Sequence, residues 1–337
     1  MKNESDAKEE FVVVKGRKHF VKNNYLDLSY LEIADIQDIE GFVNISDSIV
    51  WLNLRGNNLE TISDLPLMPN LKSLDLDQNR LRNFENLENA PRLMNLNAAQ
   101  NEISSMDSLT SLNTLMNLDL SENNLVDLSG IESLHGLEEL SLRLNSIYEI
   151  SNLGSLNKLK LLLLSKNNIK VLDGLENDSE ISTLWIDGNQ ITSIDKLSEC
   201  KNLAELDIRD NQITTIDVFT RLPNLNLVHA ENNLIKILPP LDTFMHANSE
   251  NVGGCFYFSY NQIERIIINH DIIVESLYLD HNRITDASWI PRLWISPAEL
   301  FIDGNPFTPD VDIIFDKFQA EWVSGKRRPQ NLSRESY

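Results

Sequence analysis

Residues 159–169 read Leu159-Lys160-Leu161-Leu162-Leu163-Leu164-Ser165-Lys166-Asn167-Asn168-Ile169, and this stretch decides the fold. Its pattern, L-x-x-L-x-L-x-x-N-x-I, recurs along almost the whole chain. Its asparagine falls at steps of 22 residues at Asn57, Asn79, Asn101, Asn123, Asn145, Asn167, Asn189, Asn211 and Asn233. It falls again at Asn261, Asn282 and Asn305, at steps of 28, 21 and 23 residues. A pattern kept over twelve copies predicts a repeat architecture.

The period and the spacing within each copy predict the geometry of one leucine-rich repeat. In the copy that begins at Leu115, Leu118 and Leu120 alternate with polar residues, which indicates a short strand with the leucines inward. The later apolar positions lie three apart, as in an open turn or 3-10 segment. We therefore expect an α/β solenoid: a leucine-rich-repeat horseshoe with a parallel sheet on the concave face and mostly 3-10 or irregular turns on the convex face. One repeat alone buries too little apolar surface to offset the entropy of ordering its backbone, so the repeats must stack.

The flanking segments predict how the solenoid is capped. Phe11 to Phe20 read as strand, tight turn and strand, and Val311, Ile314, Phe315, Phe318 and Trp322 have helical spacing after a candidate cap at Asp310. We predict disorder over 1–10, an N-terminal capping hairpin over 11–24, the solenoid over 25–307, a C-terminal capping helix over 308–325 ended by Gly325, and a basic flexible tail over 326–337. A loop is expected around 248–254.

Charge narrows the classes of partner. The formal net charge is −22 and the sequence pI is about 4.6, so the surface repels nucleic acid and anionic lipid and favours a basic protein surface. No apolar run has the ~18 residues that a membrane span needs. The polar N-terminus predicts no secretory signal. Cys200 and Cys255 are expected on opposite sides of the repeat and not paired with each other, which favours a reducing, cytoplasmic compartment. We also expect the chain to be a monomer on its own.

Motifs for catalysis or cofactors are missing from the sequence. It has no G-x-x-x-x-G-K-[ST], G-x-G-x-x-G, H-E-x-x-H or C-x-x-C, and its six histidines are scattered. We therefore expect no enzyme activity, no cofactor and no metal site. The repeated asparagines are interpreted as structural, because their amides can bond to backbone groups where each strand leaves the sheet.

The outward strand positions carry the functional prediction. They are small and polar in the N-terminal half, whereas the C-terminal half presents apolar and aromatic residues ringed by carboxylates. Such a patch is typical of a protein-binding surface. The candidate partner-binding residues are Leu161, Leu163, Trp185, Asp187, Asp207, Arg209, His229, Tyr257, Tyr278, Asp280 and Phe301. The alternative is that these side chains only pack against each other across strands, with no partner.

Over residues 25–307, the 22-residue repeat resembles the leucine-rich-repeat regulatory subunits of type-one serine/threonine protein phosphatase. The likeness lies in the residue types of Asp119, Trp185, Asp207, Tyr278 and Phe301, and in the closing stretch from Ile284 to Pro306. Ser141, Leu163 and His229 depart from that column. The resemblance implies a cytoplasmic or nuclear protein without enzyme activity that holds a phosphatase catalytic subunit on its concave face.

The repeat also resembles those of the internalin-like bacterial adhesins, which are secreted and usually carry further domains or anchors. This resemblance implies a secreted or surface recognition protein. An intracellular microbial repeat protein that shares only the scaffold is the third reading. The sequence leaves these alternatives open.

Overall fold

The structure is a computed structural model that describes residues 9–175, 180–245 and 253–326. The chain divides into two compact units, Met1–Leu163 (unit 1) and Leu164–Tyr337 (unit 2). Three segments with expected structure lie wholly or mostly outside the described residues. They are the segment over 1–10 for which disorder is expected, the loop near 248–254, and the tail over 326–337, of which only Lys326 is described.

Unit 1 begins with an antiparallel hairpin. Strand β1 (Phe11–Val14) pairs with β2 (Arg17–Phe20), and Lys15 and Gly16 turn the chain with φ of 49° and 73°. In its described part, seven parallel strands follow, paired in chain order: β3 (Tyr25–Asp27), β4 (Trp51–Asn53), β5 (Ser73–Asp75), β6 (Asn95–Asn97), β7 (Asn117–Asp119), β8 (Glu139–Ser141) and β9 (Leu161–Leu163). A one-turn helix, α1 (Phe42–Ile45), lies between β3 and β4.

Unit 2 continues the same repeat. Its described residues hold six parallel strands, paired in this order: β10 (Thr183–Trp185), β11 (Glu205–Asp207), β12 (Leu227–His229), β13 (Cys255–Tyr257), β15 (Ser276–Tyr278) and β17 (Leu300–Phe301). A short parallel pair, β14 (Ile272–Ile273) with β16 (Leu293–Trp294), is not anticipated by the sequence.

The turns between strands match the spacing of their apolar residues. In unit 1, 3-10 segments cover Ile36–Asp38, Ser46–Ser48, Leu87–Asn89, Asp107–Leu109, Ile131–Ser133 and Leu153–Ser155. In unit 2 they cover Asp195–Glu199, Asp217–Arg221, Leu241–Thr243, Ile290–Arg292 and Pro297–Glu299. Strand leucines such as Leu118 and Leu120 are buried, as predicted. Parallel strands with 3-10 turns confirm the predicted fold class, the leucine-rich-repeat solenoid.

The repeated asparagines link neighbouring repeats by hydrogen bonds. Asn123 donates through Nδ2 to Ala98 O at 2.9 Å and to Leu120 O at 3.1 Å, and its Oδ1 accepts from Ile103 N at 2.9 Å. Asn211 and Asn261 each repeat the donor contacts to the preceding copy and to their own. These side chains are buried and fully used by the backbone, so the structural interpretation of the asparagines is confirmed.

The C-terminal helix, α2 (Val311–Val323), packs through the buried Phe318. Its start differs from expectation: Asp310 has a helical backbone, and its side chain makes no capping hydrogen bond. The last helical residue is Val323, and Gly325 ends the helix as expected: it has φ of 75°, its N donates to Trp322 O, and Lys326 N donates to Glu321 O. No helix in the part of the chain that the structure describes is long and apolar enough to cross a membrane.

Candidate protein-interaction surface

Four rings stack on the outward face of the sheet in unit 2, and we call them the aromatic column. They are His229, Tyr257, Tyr278 and Phe301, each paired in register with the next. Ring centroids are separated by 4.5 Å from His229 to Tyr257, 4.5 Å from Tyr257 to Tyr278, and 4.1 Å from Tyr278 to Phe301. Neighbouring strands lie about 4.8 Å apart, close to the stacking distance of planar rings, so in-register aromatic residues stack.

Stacking changes what the column presents to solvent. His229, Tyr257 and Tyr278 are each only partly exposed, and Phe301, at the end of the column, is 37% exposed. Each inner ring is covered on its faces by its neighbours, so ring edges form the accessible surface. The alternative that these side chains only pack against each other across strands therefore describes part of this arrangement. The ring edges and Phe301 remain accessible to a partner protein.

Trp185 is separate from the column. Its register partner on β11 is Asp207, which places a carboxylate between the indole and His229. The indole Nε1 donates to Glu205 Oε1 at 2.9 Å, and the residue is half-buried. Asp187 follows Trp185 at the end of β10 and is also half-buried.

Asp207 does not form part of the expected acidic rim. It is 2% exposed, and its carboxylate accepts from Arg209 Nε at 2.9 Å and 3.1 Å and also from the Arg209 NH2 group. The Asp207 carboxylate raises the pKa of the Arg209 guanidinium further above its ordinary value. The two side chains form an ion pair, so the charge of the nearly buried Asp207 carboxylate is offset by Arg209.

A second ring pair borders a groove that the sequence analysis missed. Tyr260 stacks on His281 with centroids 4.4 Å apart, and His281 Nδ1 lies 3.0 Å from Asp280 Oδ2. The groove has a volume of about 500 Å³. Its walls are Arg209, Asp210, Glu231, Asn232, Ser259, Tyr260, Tyr278, Asp280, His281, Phe301 and Asp303.

A signal for Tyr260 and His281 exists in the repeat. Both come directly before a repeat asparagine and have positive φ, 57° and 54°. Gln78, Gln100 and Glu122 have the same backbone at the same place in unit 1. The position is thus fixed by the repeat, and its aromatic content in unit 2 marks it as part of the surface.

Carboxylates dominate the charge of the unit 2 groove. Asp210, Glu231, Asp280 and Asp303 line it, while Arg209 is already paired. Asp280 also accepts from the Ser259 hydroxyl. Burial raises the pKa of Tyr257 to about 12 and raises that of Tyr278, so both phenols remain neutral in a neutral solution. The surface combines aromatic edges with negative charge.

Leu161 and Leu163, the remaining candidates, belong to unit 1. They lie on β9 and border a groove of about 770 Å³ on the outward face of that unit's sheet. The other side chains of this groove are mostly polar, and the predicted binding surface did not include them. The described residues contain no group of three or more His, Cys, Asp or Glu placed to hold a metal ion.

Comparison with known proteins supports the repeat fold. Residues 179–221 match the family described as Leucine Rich repeats (2 copies). No curated protein sequence matches the chain.

Solved structures share the fold at low sequence identity. An internalin, inlF from Listeria monocytogenes, is 22% identical with a TM-score of 0.64, covering 86% of this chain and 83% of that one. The leucine-rich repeat domain of APL1B is 21% identical with a TM-score of 0.68, covering 94% and 90%. A chain of the LRIM1/APL1C complex is 22% identical with a TM-score of 0.68, and 55% of it is covered by 92% of this chain. The comparisons establish the fold, and they do not single out the phosphatase regulatory subunits.

Proposed function

We propose that this protein is a non-enzymatic scaffold that binds a partner protein through the outward sheet face of unit 2. The observation that carries the proposal is the aromatic column set among carboxylates. A solenoid whose strand leucines already fill its core does not need four stacked rings outside that core. Aromatic anchors inside a polar, charged rim are the usual anatomy of a protein-binding surface.

The chemistry of this surface defines the partner. Ring edges and the exposed face of Phe301 suit apolar contacts, and Glu231, Asp280 and Asp303 suit lysine or arginine. A cation next to an aromatic ring adds about 0.5–2 kcal/mol when it is partly desolvated. The net charge of −22 accelerates encounter with a basic partner and disfavours acidic ones. The partner therefore has a mixed basic and apolar face.

Two more specific assignments follow from the resemblances. The catalytic subunit of a type-one protein phosphatase is the first candidate partner, supported by the residue types of Trp185, Tyr278 and Phe301. A role as an extracellular recognition protein is the second, supported by the shared fold with inlF. We place the protein in a cytoplasmic or nuclear compartment, which is the location that the resemblance to the phosphatase regulatory subunits implies. Imaging the tagged full-length gene product in its own cells tests this location.

The test uses the purified full chain, immobilised, with a purified type-one phosphatase catalytic subunit in solution. The variants are Trp185→Ala and Tyr278→Ala. Tyr148→Ala is the matched control, because Tyr148 is 54% exposed and lies in unit 1, off the strands. We expect both surface variants to lose at least about tenfold in affinity, equivalent to about 1.4 kcal/mol, while the control binds as wild type.

A quantitative pull-down from cell lysate with the same proteins covers partners other than the phosphatase. Proteins lost by Tyr278→Ala and retained by Tyr148→Ala are the specific partners. Equal retention by all variants, with circular dichroism showing that each is folded, would contradict the proposed surface. If the phosphatase subunit does not bind while other proteins depend on Tyr278, the proposed surface stands and the phosphatase is excluded as its partner.

A further inference from the structure

The unit 1 groove on the outward face of β5 to β9 differs in chemistry from the surface in unit 2. It contains no aromatic residue, and its walls carry amides, hydroxyls, carboxylates and two guanidinium groups. The volume of the groove, about 770 Å³, lies in the range that is typical of ligand-binding clefts.

Asp77 is the unusual residue of this groove. It is 5% exposed, and its Oδ2 lies 3.1 Å from an Arg55 guanidinium nitrogen. Its Oδ1 is buried and has no hydrogen-bond partner among the residues the structure describes. Buried polar atoms are almost always paired, and leaving one unpaired costs about 1–3 kcal/mol, more for a charged group. The orphaned oxygen therefore points to a donor supplied from outside the chain.

The charge around Asp77 supports the same conclusion. Asp75, Asp119, Glu122 and Glu139 also line the groove. Burial is the main cause that raises the pKa of Asp77, and the Asp75 and Asp119 carboxylates raise it further. The Arg55 guanidinium and a hydrogen bond from the Gln78 backbone lower it without cancelling the effect. The groove holds five carboxylates against the two guanidinium groups of Arg55 and Arg143, so a further cation would be stabilised there.

The other polar groups of the groove are partly occupied. Asn117 Nδ2 donates to Asn95 Oδ1 at 2.6 Å, and the Ser121 hydroxyl bridges Asp119 Oδ1 and the Ser141 hydroxyl at 2.6 Å each. This network holds Asp119 and the two asparagines in fixed positions. Amide side chains in a row can bond to the N–H and C=O groups of an extended polypeptide, which carries one donor and one acceptor per residue.

We propose that the unit 1 groove binds an arginine side chain of a partner polypeptide, with Asp77 Oδ1 accepting from its guanidinium and Asp119 beside it. Arginine fits better than lysine, because its planar group offers five donors and is more weakly hydrated, so it enters a nearly buried carboxylate site at lower cost. The inference does not rest on the aromatic column, which lies in unit 2.

The probe is a pool of capped nonapeptides with a central arginine, whose other positions are randomised over Gly, Ser, Asn and Leu. Matched pools carry citrulline, a neutral analogue of nearly the same shape, or lysine at the centre. The pools are equilibrated with the immobilised full chain, and bound peptides are counted by mass spectrometry. We expect wild type to retain arginine peptides at least about tenfold over citrulline peptides, about 1.4 kcal/mol.

Variants assign the effect to the site. Asp77→Asn should bring the arginine-to-citrulline ratio near unity, while Asp195→Asn, an exposed acid in unit 2, should leave it unchanged. Asp119→Asn serves as the second variant if circular dichroism shows that Asp77→Asn is misfolded. A ratio near unity on wild type, an unchanged ratio in the folded site variants, an equal loss with Asp195→Asn, or equal retention of lysine peptides would each overturn the proposal.

Discussion

The phenol ring of Tyr278 lies over the ring of Phe301, with centroids 4.1 Å apart and planes 11° apart. Tyr278 stacks on Tyr257 on its other side. Tyr278 therefore has two ring partners, whereas Phe301 has one among the described residues. The stability of the face can be separated from its role in binding by comparing these two positions.

Truncating the middle of the column should cost more stability than truncating its end. An aromatic pair contributes about 0.5–1.5 kcal/mol beyond area burial, so Tyr278→Ala should lower the free energy of unfolding by about 1–3 kcal/mol. Phe301→Ala should cost about half as much. Urea unfolding of both variants measures the difference. An equal loss at both positions would show that the stacking geometry contributes little.

Removing one repeat asparagine should be severe. Asn123→Ala leaves the carbonyls of Ala98 and Leu120 and the amide of Ile103 without their partner, so we expect a loss of about 2–4 kcal/mol. Asn124→Ala changes the adjacent, exposed asparagine and should have almost no effect. Urea midpoints of the two variants test this, and similar midpoints would refute the structural role of the buried amide.

Two glycines with positive φ should differ in their tolerance of alanine. Gly130 has φ of 91°, and a Cβ there would lie 2.8 Å from the backbone carbon of Met106. Gly188 has φ of 65°, and its Cβ would first meet the flexible Lys166 side chain at 3.2 Å. Positive φ alone costs an L-residue about 1–2 kcal/mol. Gly130→Ala should therefore lower the melting temperature clearly more than Gly188→Ala, as differential scanning calorimetry would show.

The half-buried phenol of Tyr257 should make the protein less stable at high pH. Its pKa is raised from 10.0 to about 12 in the folded chain, so the unfolded chain loses this proton first. Stability is lost as the pH rises from about 10 to about 12, and Tyr257→Phe removes this loss. At pH 10.5, the difference in absorbance at 295 nm between wild type and Tyr257→Phe should show almost no tyrosinate from Tyr257. A full tyrosinate signal there would contradict the raised pKa of Tyr257.

Local periodicity made most of the fold predictable. The alternation around Leu118 and Leu120 defines a strand, and the repeat asparagine fixes its register, so every outward position could be assigned by counting. The cap of α2 was harder, because Asp310 is a good capping residue whose backbone joins the helix instead. The pair of β14 and β16 also escaped prediction, because two-residue strands leave no pattern.

The sequence alone determined which side chains face outward, because that depends only on a period of two within strands and of 22 between them. It also determined the asparagine ladder, for the same reason. Only the tertiary structure decided which outward groups remain free. Residues one repeat apart meet across about 4.8 Å, where ring stacking joins Tyr278 to Phe301. The side chain of Arg209 turns back onto Asp207, two residues earlier in the chain, and one oxygen of Asp77 is left without a partner.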